Sequence, residues 1–460
     1  MSSRRVVMGL QFFPRGGSAH VARAIAGGAT AKGWATTIVS GSVRAPDGHG
    51  DAAMFYDGLD ARPFDMTDAM ASPDPLLAAV PLHASYEDRP GAADRVFASV
   101  DDRTFEHQVA AWSAALAGAG AATADVLHLH HLTPLNEAAQ RVAPDVPVIG
   151  HLHGTELLLL EAIARGAPVS WQFADAWAER MRGWAGRCAR LLLISASQVD
   201  RVEALLGVPR ERTVVVPNGF EPELFQPRPA DRLAHWRRFL VDEPRGQRPD
   251  GSVISYTESD LAAFGGPGPT LLYVGRFTEV KRLPLLIEAH HAARAQYGAR
   301  LPLVVLGGYP GEWEGEHPVE TVERIGAEDV FFAGWHGHDA LPEFLAASDV
   351  ITLASVREQF GQVLVEAMAC GLPPVAVGAF GPAEIVDPGH TGWLVPPDDR
   401  AALTAAMVEV ALDPAEGVRR GEAARRAALE RYSWPALVDR VLALYGTVAS
   451  DGRGRYRGAD

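Results

Sequence analysis

Short apolar runs alternate with longer amphipathic stretches along almost the whole chain. The runs of the first half are RVVMGLQFF, ATTIVSG, VLHLHH, PVIGHLHG, LLLISAS and TVVVPNG. A second set begins with TLLYVGRF and continues through LPLVVLGG, VFFAGW, VITLAS, PPVAV and TGWLV. Strands that alternate with helices in this way form mainly parallel sheets. The pattern therefore predicts two α/β domains.

The composition changes between the two sets, and this change marks the predicted domain boundary. The intervening stretch contains DEPRGQRPDGSVISYTESDLAAFGGPGP, which is rich in proline, glycine and charge. We expect an N-terminal domain, a linker with the entry to the second domain, a C-terminal domain, a final helix that returns to the first domain, and a tail. The predicted bounds are, in that order, 1–217, 218–269, 270–431, 432–447 and 448–460.

Two regions do not follow the simple repeat. Residues 45–120 are rich in Asp, Pro and Ala, and we expect an elaborated loop region there with one helix near 104–119. The chain after Gly446 is rich in Gly, Arg and Asp, so disorder is expected from that point to the C-terminus.

Charge and cysteine content narrow the class of protein. The formal net charge is −15 over 460 residues, whereas a nucleic-acid-binding surface needs an excess of basic groups, so nucleic acid is not an expected partner. The two cysteines, Cys188 and Cys370, lack the spacing of a disulfide framework or a zinc site, which favours a reducing cytoplasm. No apolar run approaches the ~20 residues of a membrane span.

The most informative stretch is ASVREQFGQVLVEAMACGLPPVAV, which contains Glu358 and Glu366. It leaves an apolar strand, passes through a short loop and enters an amphipathic helix near Gly361. A helix N-terminus has unpaired N–H groups and a partial positive charge, so it can bind phosphate, and glycine lets a ligand approach the backbone. Carboxylates in the loop and in the second turn of the helix can accept hydrogen bonds from ligand hydroxyls. The stretch predicts a site for a sugar joined to a nucleoside diphosphate, although a bare pair of glutamates would indicate only surface charge.

A second stretch, YVGRFTEVKRLPLLIEA, places Gly275, Arg276 and Lys281 directly after a predicted strand. A diphosphate leaving group needs fixed positive charge where negative charge develops, and these two cations can supply it. Most Arg and Lys residues are solvated surface groups, so the position after a strand is what favours a function. The first strand–helix turn, PRGGSAH, contains Gly16 and Gly17 but lacks the G-x-G-x-x-G dinucleotide fingerprint.

These strings resemble those of glycosyltransferase family 4, whose members are retaining enzymes of the GT-B architecture. The resemblance spans about Val6 to Tyr445 and is strongest from Thr270 to Pro397. It implies two Rossmann-like domains with mainly parallel sheets that face a central cleft. It also implies transfer of a hexosyl group from a nucleoside-diphosphate sugar to a small soluble acceptor, with no metal or other cofactor.

The resemblance also implies roles for individual residues. Glu366 would hold the ribose hydroxyls and Glu358 the sugar hydroxyls, and the two cations would hold the diphosphate. The implied catalytic residues are His153, Arg276, Lys281 and Glu358. The implied donor-binding residues are Gly17, Gly275, Arg276, Lys281, Gly334, Trp335, Glu358, Phe360, Gly361, Gln362, Val363 and Glu366. The implied acceptor-binding residues are Gly16, Gly17, His130 and His131.

The histidine-rich strings LHLHH and GHLHGTE leave other functions open. An H-x-H motif at a strand end can bind zinc, so a metal-dependent hydrolase is one alternative. Its ligands would be His128, His130, His151 and His153. A catalytically inactive nucleotide-sugar-binding protein is another alternative, and the intact donor strings argue against it.

Overall fold

A computed structural model gives the structure of residues 4–14, 16–44, 50–88, 93–309 and 313–456, with the surroundings of side chains described as far as Ser450. The chain divides into two compact units. The first unit comprises Met1–Asn218 and Trp434–Asp460, and the second comprises Gly219–Ser433. The segment expected to be a linker, 218–269, therefore belongs almost entirely to the second unit.

The first unit is built on a seven-stranded sheet in which all paired strands are parallel. Its strands are β1 (Arg5–Leu10), β2 (Ala35–Ser42), β3 (Asp60–Asp65), β4 (Val126–His130), β5 (Val148–Leu152), β6 (Arg190–Leu193) and β7 (Thr213–Val215). Their order across the sheet is β3-β2-β1-β4-β5-β6-β7. The order reverses between β1 and β4, and ligands of open α/β sheets bind at the carboxyl ends of strands beside such a reversal.

Within the described residues, seven α-helices of the first unit lie between these strands. They are α1 (Gly17–Ala31), α2 (Ala52–Phe55), α3 (Asp102–Gly118), α4 (Pro134–Val142), α5 (Thr155–Gly166), α6 (Ala174–Arg187) and α7 (Gln198–Leu206). Successive side chains of a strand point to opposite faces of the sheet, and each face packs against its own helices. Met8 lies in a buried cluster with Ile25 of α1, whereas Val7 lies in a second cluster with Trp112 of α3.

The second unit is built on a six-stranded sheet that is also parallel throughout. Its strands are β8 (Leu271–Gly275), β9 (Leu303–Gly307), β10 (Val330–Gly334), β11 (Val350–Leu353), β12 (Pro374–Val377) and β13 (Trp393–Val395). Their order is β10-β9-β8-β11-β12-β13. The helices are α8 (Arg232–Arg237), α9 (Leu283–Tyr297), α10 (Pro318–Ile325), α11 (Leu341–Ala346), α12 (Gln362–Ala369), α13 (Gly381–Ile385), α14 (Arg400–Leu412) and α15 (Pro414–Tyr432).

The prediction of two Rossmann-like units with parallel sheets is confirmed, and each quoted apolar run contains a strand. The region 45–120 is more regular than expected, because it contains β3 and α2 besides the predicted helix α3. β3 has the sequence DARPFD and lies largely exposed at the edge of the sheet. Its sequence lacks the apolar pattern that indicates a buried strand, so this strand was not predicted.

The last helix, α16 (Trp434–Tyr456), belongs to the first unit. Trp434, Leu437 and Val441 lie in the same buried cluster as α1. The expectation of disorder after Gly446 is wrong as far as Tyr456, because the helix continues through this glycine. Among the described residues, no helix is both long and apolar enough to cross a lipid bilayer.

Candidate functional site

An ion pair between Lys281 and Glu358 joins two loops of the second unit. Lys281 ends a short 3-10 turn after β8, and Glu358 lies in the loop between β11 and α12. The ammonium Nζ contacts Glu358 Oε2, and the two side chains are 18% and 20% exposed. The same loops are also joined by Val356 N, which donates to Val280 O at 3.0 Å. The carboxyl ends of neighbouring strands β8 and β11 thus present one cation and one anion side by side.

The loop that contains Glu358 leads directly into the N-terminus of α12. Gly361 is the N-cap residue, with φ of 104°, a left-handed conformation that glycine adopts without steric cost, and no side chain caps the helix. Phe360 and Gly361 are buried, and Gln362 and Val363, the first helical residues, are half-buried. The unpaired N–H groups at this helix start can donate to an anion.

Neighbouring backbone packs closely against this loop. Gly381 N donates to Glu358 O at 3.1 Å. A Cβ on Gly381 would lie 1.9 Å from Phe360 O, so only glycine fits at this position. Phe380 has φ of 52° and ψ of −130°, a conformation that is strained for a residue with a side chain. The surrounding segment therefore holds the Glu358 loop in one conformation.

Glu366 lies one turn into α12 and is only 2% exposed. Its Oε1 accepts hydrogen bonds from Gln362 Nε2 at 2.9 Å and from His338 Nε2 at 2.8 Å. Burial alone would lower the pKa of His338, but the hydrogen bond and charge of Glu366 outweigh it and raise the pKa above its ordinary value. The Glu366 carboxylate thus accepts from two donors. Burial raises the pKa of the nearby Cys370 thiol to about 12, so the thiol stays protonated.

The loop after β8 is fixed by Tyr273, whose hydroxyl donates to Arg276 O at 2.9 Å. Burial, together with the charge of Glu358, raises the pKa of Tyr273 far above its ordinary value, so the hydroxyl stays a donor. The Arg276 side chain is exposed. A Cβ on Gly307 at the end of β9 would lie 2.0 Å from Gly275 O, so no side chain fits at Gly307 against the end of β8.

Gly334 and Trp335, the predicted nucleotide-facing residues, follow β10. Gly334 has φ of 78°, and a Cβ there would lie 2.3 Å from Arg245 O, which explains the glycine by packing. Trp335 is half-buried and lies edge-on to Tyr309 at 5.3 Å between ring centroids. Neither residue makes a described contact with Glu358 or Glu366.

Sequence reasoning missed two hydroxyl groups in the same pair of loops. Thr278 and Ser355 are 6% and 1% exposed, and their hydroxyl oxygens have no hydrogen-bond partner within the described structure. Buried polar groups are nearly always paired, so hydroxyls without a partner beside a predicted ligand site suggest ligand contacts. Their position after strand ends, in the strings RFT and LAS, is the signal that could have indicated them.

In the first unit, Gly16 and Gly17 form the exposed start of α1. Gly16 is the N-cap residue with extended backbone, φ of −125° and ψ of 179°, and no side chain caps the helix. A Cβ on either glycine would meet nothing within 4 Å. Packing therefore requires glycine at neither position.

Four histidines, on β4, on β5 and directly after β5, form a block of two imidazole pairs. His128 Nε2 lies 3.2 Å from His151 Nδ1, and His130 Nδ1 lies 3.0 Å from His153 Nε2. The rings within each pair are 5.3 Å apart and within 20° of parallel, so each pair is nearly coplanar. Tyr445 of α16 contacts Nδ1 of His128. One hydrogen-bonded pair therefore stacks on the other, with His128 over His130 at 4.7 Å.

Burial determines the charge of this block. It lowers the pKa of His128 to about 3, and burial and neighbouring imidazoles hold the pKa values of His130, His151 and His153 well below the ordinary range. One ring nitrogen from each of His128, His130 and His151 lies within 4.8 Å of the others. Metal ligation needs in-plane lone pairs that converge, whereas these rings are within 26° of parallel and two of the nitrogens already bond each other. The geometry gives little support to the metal-dependent hydrolase.

The other histidine of this edge, His131, pairs with a glutamate that sequence reasoning missed. His131 Nδ1 lies 2.7 Å from Glu156 Oε1, and Glu156 is fully buried in the first turn of α5. The sequence contained a signal for Glu156, because the string HGTE places an acidic residue in the first turn of a helix that follows a strand.

Several predicted site residues contact one another within each unit. The second unit groups Lys281 with Glu358 and Gln362 with Glu366. The first unit groups His130 with His153, and His131 with the unpredicted Glu156.

Two family models match the chain. The model described as Glycosyltransferase Family 4 matches residues 15–224, and the model described as Glycosyl transferases group 1 matches residues 262–427. D-inositol 3-phosphate glycosyltransferase 1 of Catenulispora acidiphila is 29% identical over 347 residues, which are 72% of this chain and 74% of that protein.

Solved structures show the same fold. Sucrose-phosphate synthase of Thermosynechococcus elongatus has a TM-score of 0.68 at 21% identity, with 97% of this chain and 100% of that chain covered. HepE of Anabaena, in complex with UDP and glucose, has a TM-score of 0.65 at 16% identity, with 96% and 99% covered. The two matched models account for most of both units, and the chain belongs to glycosyltransferase family 4, with the GT-B architecture.

Proposed function

We propose that this glycosyltransferase moves a hexosyl group, with retention of configuration, from a nucleoside-diphosphate sugar to a small soluble acceptor. The observation that carries the proposal is the Lys281–Glu358 pair in front of the uncapped N-terminus of α12. The cation after β8 contacts the carboxylate after β11, and that loop leads into the helix N-terminus. A sugar diphosphate needs all three kinds of partner.

Each group has a proposed role toward the donor. Arg276, Lys281 and the N–H groups at Gly361 hold the diphosphate and stabilise the charge that develops on it as it leaves. Glu358 accepts hydrogen bonds from hydroxyls of the transferred sugar. Glu366 accepts hydrogen bonds from the ribose hydroxyls, and His338 keeps this carboxylate in place.

The proposed acceptor site lies in the first unit, at Gly16, Gly17, His130 and His131, and His153 approaches the reacting sugar. The exposed, uncapped start of α1 supports this assignment, because an acceptor could lie against it. The relative's name contains D-inositol 3-phosphate, so this compound is a rational first acceptor to test.

In the proposed reaction, the bond between the anomeric carbon and the leaving phosphate oxygen breaks. The acceptor oxygen bonds the anomeric carbon on the same face, and a phosphate oxygen takes the acceptor proton. No side chain of the chain serves as a covalent nucleophile in this scheme. In this scheme, Arg276 and Lys281 take the place of a metal ion. A cytoplasmic location stays a prediction from the cysteine content.

A thermal-shift screen followed by a transfer assay tests the proposal. We expect UDP, GDP or ADP, and one of their sugar derivatives, to raise the melting temperature, because a ligand that binds only the folded state stabilises it by mass action. NMR of the product from UDP-glucose, or the sugar nucleotide that binds best, should show the donor's anomeric configuration. An inverted product would overturn retention, and no response to any nucleotide would overturn donor binding.

A further inference from the structure

The backbone of His131 has an unusual conformation that two hydrogen bonds maintain. Its φ of 67° is left-handed, a strained conformation for a residue with a side chain. Its backbone N donates to His151 O at 2.8 Å, and its backbone O accepts from Asn136 Nδ2 at 3.0 Å. Backbone strain that is overdetermined in this way clusters at functional sites.

The ring of His131 is held as firmly as its backbone. Nδ1 bonds Glu156 Oε1 at 2.7 Å, and the ring of Phe12 lies edge-on at 5.0 Å. His131 is 5% exposed, and its Nε2 has no partner within the described structure. Nδ1 is therefore already hydrogen-bonded, whereas Nε2 is a buried polar atom without a partner among the described residues.

Glu156 is well suited to fix which nitrogen carries the proton. The carboxylate is fully buried and accepts from Gly154 N at 2.9 Å, besides His131 Nδ1. It lies in the first turn of α5. A carboxylate oxygen accepts hydrogen bonds, so Nδ1 donates in this contact and Nε2 is the ring nitrogen left for a ligand.

We infer that Glu156 is a positioning residue for the transfer reaction and acts through His131. It holds His131 in the tautomer that accepts a hydrogen bond at Nε2 from a hydroxyl of the acceptor. The inference rests on the proposed function, because it names a hydroxyl-bearing acceptor as the missing partner of Nε2. The glutamate itself has no contact with substrate in this scheme.

Glu156→Gln is the direct test, because it keeps the side-chain size. The carboxylate accepts from Gly154 N at Oε2 and from His131 Nδ1 and His153 N at Oε1. The amide has a single acceptor oxygen and no charge, so the variant loses the arrangement that keeps the hydrogen on Nδ1. With D-inositol 3-phosphate, or the acceptor that gives turnover, kcat/KM for the acceptor should fall about tenfold or more, the scale of one charge-assisted hydrogen bond. The Kd of UDP should stay within about twofold, because its proposed site lies in the second unit.

Glu161→Gln is the matched control. Glu161 lies on the same helix and pairs with Arg201 at 2.6 Å, away from His131. This variant should keep the wild-type kcat/KM. Equal activity of both variants and wild type would overturn the inference while leaving the proposed function intact, whereas inactive wild type with every sugar nucleotide would contradict the proposed function.

A double-mutant cycle distinguishes a positioning role of Glu156 from a mere loss of stability in Glu156→Gln. Asn tolerates the left-handed backbone, so His131→Asn removes Nε2 with little added strain. If Glu156 acts through His131, the double variant should be no slower than His131→Asn alone. If the losses in kcat/KM of the two single variants multiply in the double variant, the two residues act independently. That result would contradict the positioning role.

Discussion

Lys281 and Glu358 are 77 residues apart in the chain, yet their charged groups are in direct contact. The contact arises because β8 and β11 are neighbours in the sheet, so that the loops at their carboxyl ends meet. A partly buried pair of this kind holds a cation in place before any ligand arrives. In the proposed reaction, the diphosphate and the sugar would bind beside a preorganised pair of charges.

Lys281→Ala should lower turnover about a hundredfold or more, the scale for losing one group that stabilises developing negative charge. Lys281→Arg should lose less, because the charge remains. Steady-state kinetics with a saturating sugar nucleotide measure both. Arg324→Ala is the control, since Arg324 pairs with Glu316 on the surface of the second unit. Near-normal turnover of Lys281→Ala would remove this residue from the mechanism.

Glu366→Ala should weaken nucleotide affinity by about one to two orders of magnitude, because charge-assisted hydrogen bonds to hydroxyls are lost. It also removes the acceptor shared by Gln362 and His338. Isothermal titration with UDP or the preferred nucleotide measures the change. Glu343→Ala, at an exposed position of α11, should bind normally. Unchanged affinity in folded Glu366→Ala would reject the ribose assignment.

His338 should stabilise the second unit more at low pH than at high pH. Its pKa is raised in the folded state because Glu366 outweighs the effect of burial, so its stabilising contribution is full below the ordinary pKa of about 6.5 and is lost as pH rises through the raised value. The melting-temperature difference between wild type and His338→Gln should shrink as pH rises above about 6.5.

His336→Gln provides a control with the opposite trend. Burial lowers the pKa of His336, so the neutral ring stabilises the fold above about pH 6.5, and this contribution is lost as pH falls. Its difference from wild type should therefore grow from low to neutral pH. Parallel pH profiles for the two variants would contradict both assignments.

Transfer activity should survive EDTA. In the proposed mechanism, Arg276, Lys281 and the N-terminus of α12 supply the positive charge that a divalent ion would otherwise provide. Rates with and without chelator, on enzyme freed of added metal, check this. Arg276→Ala should instead lower turnover about a hundredfold. Complete loss in EDTA with recovery on adding zinc would favour chemistry at the histidine block.

Gly381→Ala should damage the donor loop without changing any charge. The new Cβ would lie 1.9 Å from Phe360 O, so the loop that carries Glu358 must move, at a cost of about 1–3 kcal/mol. We expect a lower melting temperature and weaker nucleotide binding. Gly417→Ala in α15 meets nothing within 4 Å and should be neutral or stabilising. Equal effects of the two substitutions would exclude the steric explanation.

The sequence by itself determined the strand–helix order and the parallel sheets of both units. Apolar runs and amphipathic periods are local signals, and each quoted run contains a strand because burying it is favourable in any register. Residues after strand ends could also be recognised, since the carboxyl ends of parallel strands form the ligand edge of such sheets. The donor strings around Lys281, Glu358 and Glu366 are predictable for that reason.

Only the tertiary structure decided which side chains pair. The partners of Glu366 and His131, namely His338 and Glu156, follow from how neighbouring loops and helices pack, and no periodicity encodes this. The polar edge strand β3 and the helix beyond Gly446 were missed because both are stabilised by neighbours rather than by an apolar pattern of their own. The two coplanar histidine pairs likewise depend on the register of β4 against β5, which is set by contacts far apart in sequence.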